Sequence, residues 1–352
     1  MFFNETEEYI PNVASIASIA ILGSIGVVGN LALIGVVLIY RQLRTLPNVL
    51  ILNLAIGDFF YIICVGPAWI EMEIDPIFLL SEFACKMKHF ITLISQGACV
   101  FSLTVLSFER YSVIVRGMQT RQSRKKLRTL LAVALVWTLS ILLAVPAAVF
   151  AQLDMYGCYD TADDLINVVF AMYKALFFYL IPVILISIFY TKVAAALLKS
   201  ASTLQGQDSH TSNTRQQANR QRLAMICLAI TAFFAIFWLP HYAYTMWAQF
   251  DLSTVFTEDN GGTQPAAILE SFRIIQSFMA LVNSAMSPWL LFVLSTTHRR
   301  YFLKPCKGCV HKDRLEPHEL GSSRSNGISM SNTTGAYRAG VKTSTSVQQT
   351  QI

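Results

Sequence analysis

The chain has 352 residues, of which 54% are hydrophobic and only 14% charged, with a mean hydropathy of +0.49 and a formal net charge of +6. A soluble domain carries about 25% charged residues, so the composition excludes an ordinary water-soluble globule. The positive charge is segregated into particular gaps between apolar runs, which excludes a nucleic-acid-binding surface.

A helix needs about 20 mostly apolar residues to cross a bilayer. Seven stretches qualify, at roughly 14–40, 47–70, 88–115, 128–151, 166–190, 223–249 and 267–294. Backbone polar groups cannot be left unpaired in lipid, so such stretches are helices or strands of a closed barrel. The long runs lack the two-residue alternation of a barrel. The sequence therefore predicts an all-α membrane protein. An extracellular N-terminal tail spans 1–13, a seven-transmembrane helix bundle 14–294, an amphipathic juxtamembrane eighth helix 295–305, and a disordered cytoplasmic tail 306–352.

Orientation follows from charge. Arg41 and Arg44 follow the first span, Arg116, Arg121, Arg124, Lys125, Lys126 and Arg128 bracket the third gap, Lys192, Lys199, Arg215, Arg220 and Arg222 the fifth, and Arg299 and Arg300 follow the last span. The alternate gaps are acidic, with Glu71, Glu73, Asp75 and Glu82, then Asp154, Asp160, Asp163 and Asp164, then Asp251, Glu258 and Asp259. The positive-inside rule places the N-terminus outside and the C-terminus in the cytoplasm of a plasma-membrane protein. The start of the sequence lacks the basic region and short apolar core of a cleavable signal peptide.

In chain order, Asn4-Glu5-Thr6 is a glycosylation sequon in the external tail. Asn30 and Asp58 lie in the first and second spans, where a carboxylate marks either function or a hydrogen-bond network tying helices together. Of seven cysteines, Cys85 and Cys158 face the oxidising side and are expected to pair. Cys64, Cys99 and Cys227 lie within spans as small apolar residues. The third span ends in Glu109-Arg110-Tyr111, read either as a switch or as an arginine snorkelling to the headgroups. Pro67, Pro146, Pro182, Pro240 and Pro288 each remove a helical hydrogen bond and open room in a bundle. The loop at 201–219 is polar and reads as flexible. His298-Arg299-Arg300-Tyr301-Phe302-Leu303 reads as an amphipathic helix on the inner leaflet. Cys306 and Cys309 suit palmitoylation, the alternative being two free thiols. The Ser/Thr-rich tail is open to phosphorylation, and Thr350-Gln351-Ile352 fits a PDZ domain by strand addition.

Gly29-Asn30, Leu54-Ala-Ile-Gly-Asp58, the Cys85/Cys158 pair, Glu109-Arg110-Tyr111, Trp137, Pro182 with Tyr190, Phe234-Ala-Ile-Phe-Trp238-Leu-Pro240 and Ser287-Pro288 stand in order at the matching spans. Together they resemble the rhodopsin-like G-protein-coupled receptors, over residues 20 to 305. Within that family the set is most similar to peptide receptors of the bombesin, endothelin and neuromedin type, with Trp238-Leu-Pro-His241-Tyr242 similar to their sixth helix.

The resemblance implies several roles. Arg110 holds the cytoplasmic ends together at rest and releases to a heterotrimeric G protein, with Tyr190 supporting the open state. Val100, Pro182, Phe234 and Trp238 form the connector that relays ligand contact inward. Asp58, Asn283 and Ser284 form a pocket for an allosteric sodium ion, whose hard character calls for oxygen ligands. Arrestin and receptor kinases are further expected partners.

Departures from the family pattern are equally specific. The seventh span reads Ser287-Pro288-Trp289-Leu290-Leu291, with Leu291 where the family places a tyrosine. Cys99 stands where the sodium pocket commonly has serine, Gly117 replaces a proline, and Arg220 repels Arg110 where a carboxylate would pair with it. They predict a weakened inactive lock and atypical or constitutive signalling.

Thr92 occupies the position where amine receptors carry an aspartate, and the span from 268 to 292 holds no lysine for a retinal Schiff base. Both absences point away from those ligands. Acidic outer loops favour a basic ligand. Thr92, Gln96, Trp238, His241, Tyr242 and Arg273 offer polar contacts in an apolar cleft, which fits an extracellular peptide. Arg273 has the alternative of pairing with Glu270 or a loop acid.

Two competing classes stay open. A channel or transporter would line several spans with polar residues, and here Asp58 is the deeply placed acid. A signalling-silent binder is the other. His89, His210, His241 and His298 are scattered, so no enzyme constellation is formed.

Overall fold

A computed structural model describes residues 13–74, 81–117, 124–154, 157–159, 164–204, 211–250 and 264–302. Seven helical spans are long and apolar enough to cross a membrane, in the order the hydropathy predicts. They comprise α1 (Val13–Ile39), α2 (Leu46–Ile74), α3 (Glu82–Ile114), α4 (Lys125–Phe150), a fifth span in two parts, α5 (Asp164–Ala175) and α6 (Ile181–Leu204), then α7 (Thr211–Phe250) and α8 (Gln264–Leu294). A short helix α9 (Thr296–Phe302) follows, which is the predicted juxtamembrane helix over its described length. Asn4, Cys306, Cys309 and the C-terminal tail lie outside the described residues.

The polar segment expected as a loop at 201–219 is helical over both described parts, because α6 runs to Leu204 and α7 begins at Thr211. Arg, Gln and Ala, which recur between Arg215 and Arg222, are good helix formers. Polarity alone therefore misjudged where the helices end.

α3 is the axis of the bundle and packs against α2, α4, α6 and α7. It begins where Ser81 accepts a hydrogen bond from the Ala84 amide at 3.2 Å, capping the helix, with Glu82 in the first turn. Residues 95–103 of α3 are buried around the whole helix circumference, as befits a helix surrounded by others. α4 is peripheral. It buries Val136, Ser140, Ala144 and Ala147 and turns Leu130, Leu131, Leu135 and Leu142 outward, a face suited to lipid.

Without a hydrophobic force between helices in lipid, close approach through small residues holds them together. A Cβ on Gly26 would meet the Ala285 Cα at 2.9 Å, so α1 and α8 touch backbone to backbone there. A Cβ on Gly57 would meet the Ser95 carbonyl oxygen at 2.8 Å, which fixes the approach of α2 to α3.

Four of the predicted prolines sit inside helices, Pro67, Pro146, Pro240 and Pro288. Pro182 acts differently: the five residues before its helix, Leu176–Leu180, form a π-helical turn. Proline lacks the amide that an α-helix would use, and a widened turn is one way to absorb the loss. On the expected outer side, Gln152–Asp154 and Gly157–Tyr159 form an antiparallel hairpin, β1 and β2, with Leu153 opposite Cys158. The expected disulfide is present. Cys158 of β2 is bonded to Cys85 at the start of α3, with Cα atoms 5.6 Å apart.

Candidate functional site

The half of the bundle nearer the disulfide, expected to face outward, holds an aromatic and amide cluster centred on α7. Trp238 is buried, with its ring 5.8 Å from Tyr61 of α2, 6.0 Å from Phe234, 5.4 Å from His241 and 6.5 Å from Tyr242. Tyr242 meets Tyr179 of the π-turn at 4.9 Å, and the Tyr179 hydroxyl donates to the Ala235 carbonyl at 2.9 Å. The widened turn thus brings the fifth span onto α7. His241 Nδ1 lies 2.7 Å from the Gln276 Oε1 of α8, and Gln276 Nε2 donates to the Ser277 hydroxyl at 2.8 Å.

Gln96 is buried beside Tyr242. The Gln96 side chain and the Tyr242 hydroxyl face each other, and among the described residues the Trp238 indole nitrogen has no hydrogen-bond partner. An unmatched polar atom in an apolar wall is costly, and it is the kind of group a ligand or ordered water would satisfy. The expected cleft residues Gln96, Trp238, His241 and Tyr242 therefore come together. Thr92 is half-buried, and its hydroxyl donates to the Lys88 carbonyl one turn back at 2.7 Å. The Arg273 side chain lies outside the described ones. Sequence reasoning missed Gln276, Tyr179 and Tyr61. Gln276 carried a legible signal as a lone amide in an apolar run, whereas the ring contacts of Tyr61 and Tyr179 depend on helix rotation.

Below this cluster lie the polar residues of α1, α2, α3 and α8. Asn30 Nδ2 donates to the Gly26 carbonyl at 2.9 Å and to the Ser284 carbonyl at 3.0 Å, tying α1 to α8. The Cys99 thiol donates to Asp58 Oδ1 at 3.5 Å. Ser284 and Ser287 lie beside the same carboxylate, although the Ser287 hydroxyl donates to the Asn283 carbonyl at 2.6 Å. Among the described residues, Asn30 Oδ1 and Asn283 Oδ1 are buried acceptors without a donor.

Oxygens are the ligands a hard cation takes, and Asn30 and Asp58 line one cavity, whereas Asn283 does not. The Cys99 thiol fits that chemistry poorly, being a soft ligand. A cavity of about 10 Å³ is lined by Asp58, Asn30 and Ser287 on its polar side and by aliphatic residues that include Leu54, Leu103, Leu106, Ile230 and Leu291. That is room for about one water-sized occupant.

At the other end of α3, Arg110 and Glu109 are both buried, and their charged groups lie 2.8 Å apart. That distance, from Arg110 Nη2 to Glu109 Oε2, makes the two an ion pair. Tyr190 of α6 is buried beside Cys227 and Thr231 of α7 and close to Arg110. The expected switch residues Glu109, Arg110 and Tyr190 are thus gathered, while Tyr111 points to the rim. The connector residues Val100, Phe234 and Trp238 are all buried in one apolar cluster. The Arg220 side chain is outside the described ones. Cys85, His89 and Cys158 lie close enough to suggest a metal cluster, but the two sulfurs are bonded to each other.

Seven spans, a disulfide from α3 to the β1–β2 hairpin, and a buried Arg110 facing α6 and α7 define a seven-helix membrane receptor. The sequence matches the 7 transmembrane receptor (rhodopsin family) over residues 29–291, and the chain belongs to that family, the rhodopsin-like G-protein-coupled receptors. Among curated relatives, a bombesin receptor of Bombina orientalis is 30% identical over 281 residues, covering 76% of this chain and 70% of its own. Bombesin receptor subtype-3 of Ovis aries is 26% identical over 289 residues, covering 79% and 70% respectively.

Proposed function

We propose that the chain is a plasma-membrane receptor activated by an extracellular peptide and coupled through its basic inner face to a heterotrimeric G protein. The observation that carries this reading is the cluster of Gln96, Trp238, His241, Tyr242 and Gln276. It is an apolar, aromatic floor carrying polar groups, among them the unmatched Trp238 indole nitrogen, directly above the Asp58 level, which is how ligand sites are built. The names of the two relatives support a peptide, and Thr92 in place of an aspartate argues against a small amine. Arg110 and Tyr190 serve as the coupling switch, with Asp58, Asn283 and Ser284 as the sodium pocket, in which Cys99 weakens coordination. Asn4 as a glycosylation site, Cys306 and Cys309 as palmitoylation sites, and arrestin, receptor kinases and a PDZ protein as partners complete the proposal.

The test is a peptide-library screen with paired G-protein and arrestin readouts. Peptides that raise both support the reading; peptides that recruit arrestin alone favour a signalling-silent binder. Leu291 favours constitutive activity as a second reading, because it is buried among Leu103, Leu106 and Ile230 and offers no hydroxyl to a water network. Basal second messenger no higher than in mock-transfected cells, at verified surface expression, excludes that second reading.

A further inference from the structure

The two halves of the disulfide have unequal surroundings. Cys85 is fully buried, whereas Cys158 on β2 is half-buried and keeps some exposure. In thiol–disulfide exchange an incoming thiolate attacks the sulfur it can reach, and the other sulfur leaves. Burial therefore selects Cys158 as the sulfur attacked and Cys85 as the one that departs.

Departure is the difficult half of that step. A thiolate is favoured where cations surround it and disfavoured in an enclosed, uncharged place. Cys85 Sγ is enclosed and lies 3.4 Å from the Gln152 carbonyl oxygen, whose partial negative charge repels an anion. The same oxygen can accept a hydrogen bond from a thiol. The site thus suits Cys85 as a neutral thiol, and a proton has to arrive as the S–S bond breaks. His89 stands one turn further along α3, on the same face as Cys85. One of its ring nitrogens lies within 4.8 Å of both sulfurs, and imidazole is the side chain that exchanges a proton near neutral pH.

We propose that the Cys85–Cys158 bridge is a thiol-exchange site, at which a small external monothiol forms a mixed disulfide with Cys158 while His89 protonates the departing Cys85. The electron pair of the incoming thiolate makes the new S–S bond, the pair of the old bond goes to Cys85 Sγ, and the imidazolium proton joins it. A thiolate, a disulfide and an imidazolium become a disulfide, a thiol and a neutral imidazole. The reverse step, with Cys85 attacking and His89 taking the proton back, restores the bridge. In the mixed disulfide β1 and β2 are no longer tied to α3, so the supply of thiol sets how many receptors carry a tethered hairpin. This chemistry goes beyond the proposed peptide reading and does not depend on which ligand the receptor takes.

The experiment uses full-length receptor in detergent, with its free thiols first blocked by N-ethylmaleimide. It is incubated with reduced glutathione, trapped under denaturing conditions with isotopically labelled N-ethylmaleimide, and mapped by peptide mass spectrometry. Glutathione should be found on Cys158 and the labelled maleimide on Cys85. His89→Gln should slow the modification by at least about tenfold, the lower end of what a positioned proton donor contributes. A histidine that only packs against the bridge would, when replaced, loosen the hairpin and speed the exchange instead. A thermal unfolding curve matching the wild type is the folding control.

A rate in folded His89→Gln equal to or above that of the wild type overturns the proposal. If that variant misfolds, the wild type decides alone: glutathione on Cys85, on both cysteines equally or on neither overturns it as well. The exchange is read without any peptide ligand, so its failure is distinct from failure of the library screen.

Discussion

At the residue scale, burial of polar atoms decides the most. Gln276 is buried and joins α7 to α8 through His241. Gln276→Leu leaves the His241 nitrogen without that partner, and stranding a buried polar group costs about 1–3 kcal/mol. The expected outcome is a lower unfolding temperature of the purified receptor, with Gln276→Glu recovering more than Gln276→Leu. His298 gives a pH signature. It is buried, its Nδ1 lies 2.8 Å from the Ser295 hydroxyl, and burial holds its pKa below the usual value. The folded protein then disfavours the charged ring, so stability is full above about pH 6.5 and falls as pH drops through that value, by at most about 1.4 kcal/mol per unit. Thermal unfolding at pH 7.5 and 5.5 should show this slope, and His298→Gln should flatten it. Asp58 and Arg110 were legible as costly residues in an apolar run. The Glu109–Arg110 pairing was not, because neighbours in sequence normally diverge around a helix.

At the element scale, helix ends and irregular turns carry the information that periodicity lacks. Gly117 follows the last turn of α3 with φ of +61°, and a Cβ added there would meet nothing within 4 Å. Only backbone strain opposes a side chain at this position, so Gly117→Ala should cost about 1 kcal/mol. Gly117→Asn should cost less, both read as shifts in unfolding temperature. The proline that the family pattern places here is locked at φ near −65° and requires a different exit from α3. The π-turn before Pro182 illustrates what a sequence withholds. The proline announces a lost hydrogen bond, but whether the chain kinks or widens depends on what lies opposite, here Ala235 and Tyr242. The same holds for the end of α6 and the start of α7, where composition suggested a loop and helix propensity prevailed. Trp289, an unusual residue after Pro288, donates to the Ile25 carbonyl at 3.3 Å, and a Cβ on Gly29 would meet its Nε1 at 2.7 Å. The glycine and the tryptophan therefore form one joint between α1 and α8, which neither residue reveals alone.

For the whole molecule, hydropathy and charge made the seven spans legible, because lipid imposes a length and a polarity on every crossing segment. Which faces meet inside was not legible, since lipid-facing and helix-facing residues are both apolar. The disulfide is a tertiary staple, joining positions 73 apart in sequence. By loop-closure entropy such a bridge is worth about 4 kcal/mol. Cys158→Ser should release β1 and β2 from α3, lower surface expression and abolish response to any peptide found in the screen. A response equal to wild type at matched surface expression would show that the hairpin has no part in ligand capture.

The position of that bridge also orders biosynthesis. Cys85 and Cys158 both precede α5, so every atom of the bond has left the ribosome before the last three spans are complete. Domains and their parts tend to fold from the N-terminus during synthesis. The crosslink can therefore form on a half-built bundle of four helices, and the fifth, sixth and seventh spans then assemble against a hairpin already locked in place. Pulse-labelled chains should show the oxidised form before full length is reached, and a chain in which Cys85 is lost should reach full length without that early compact species.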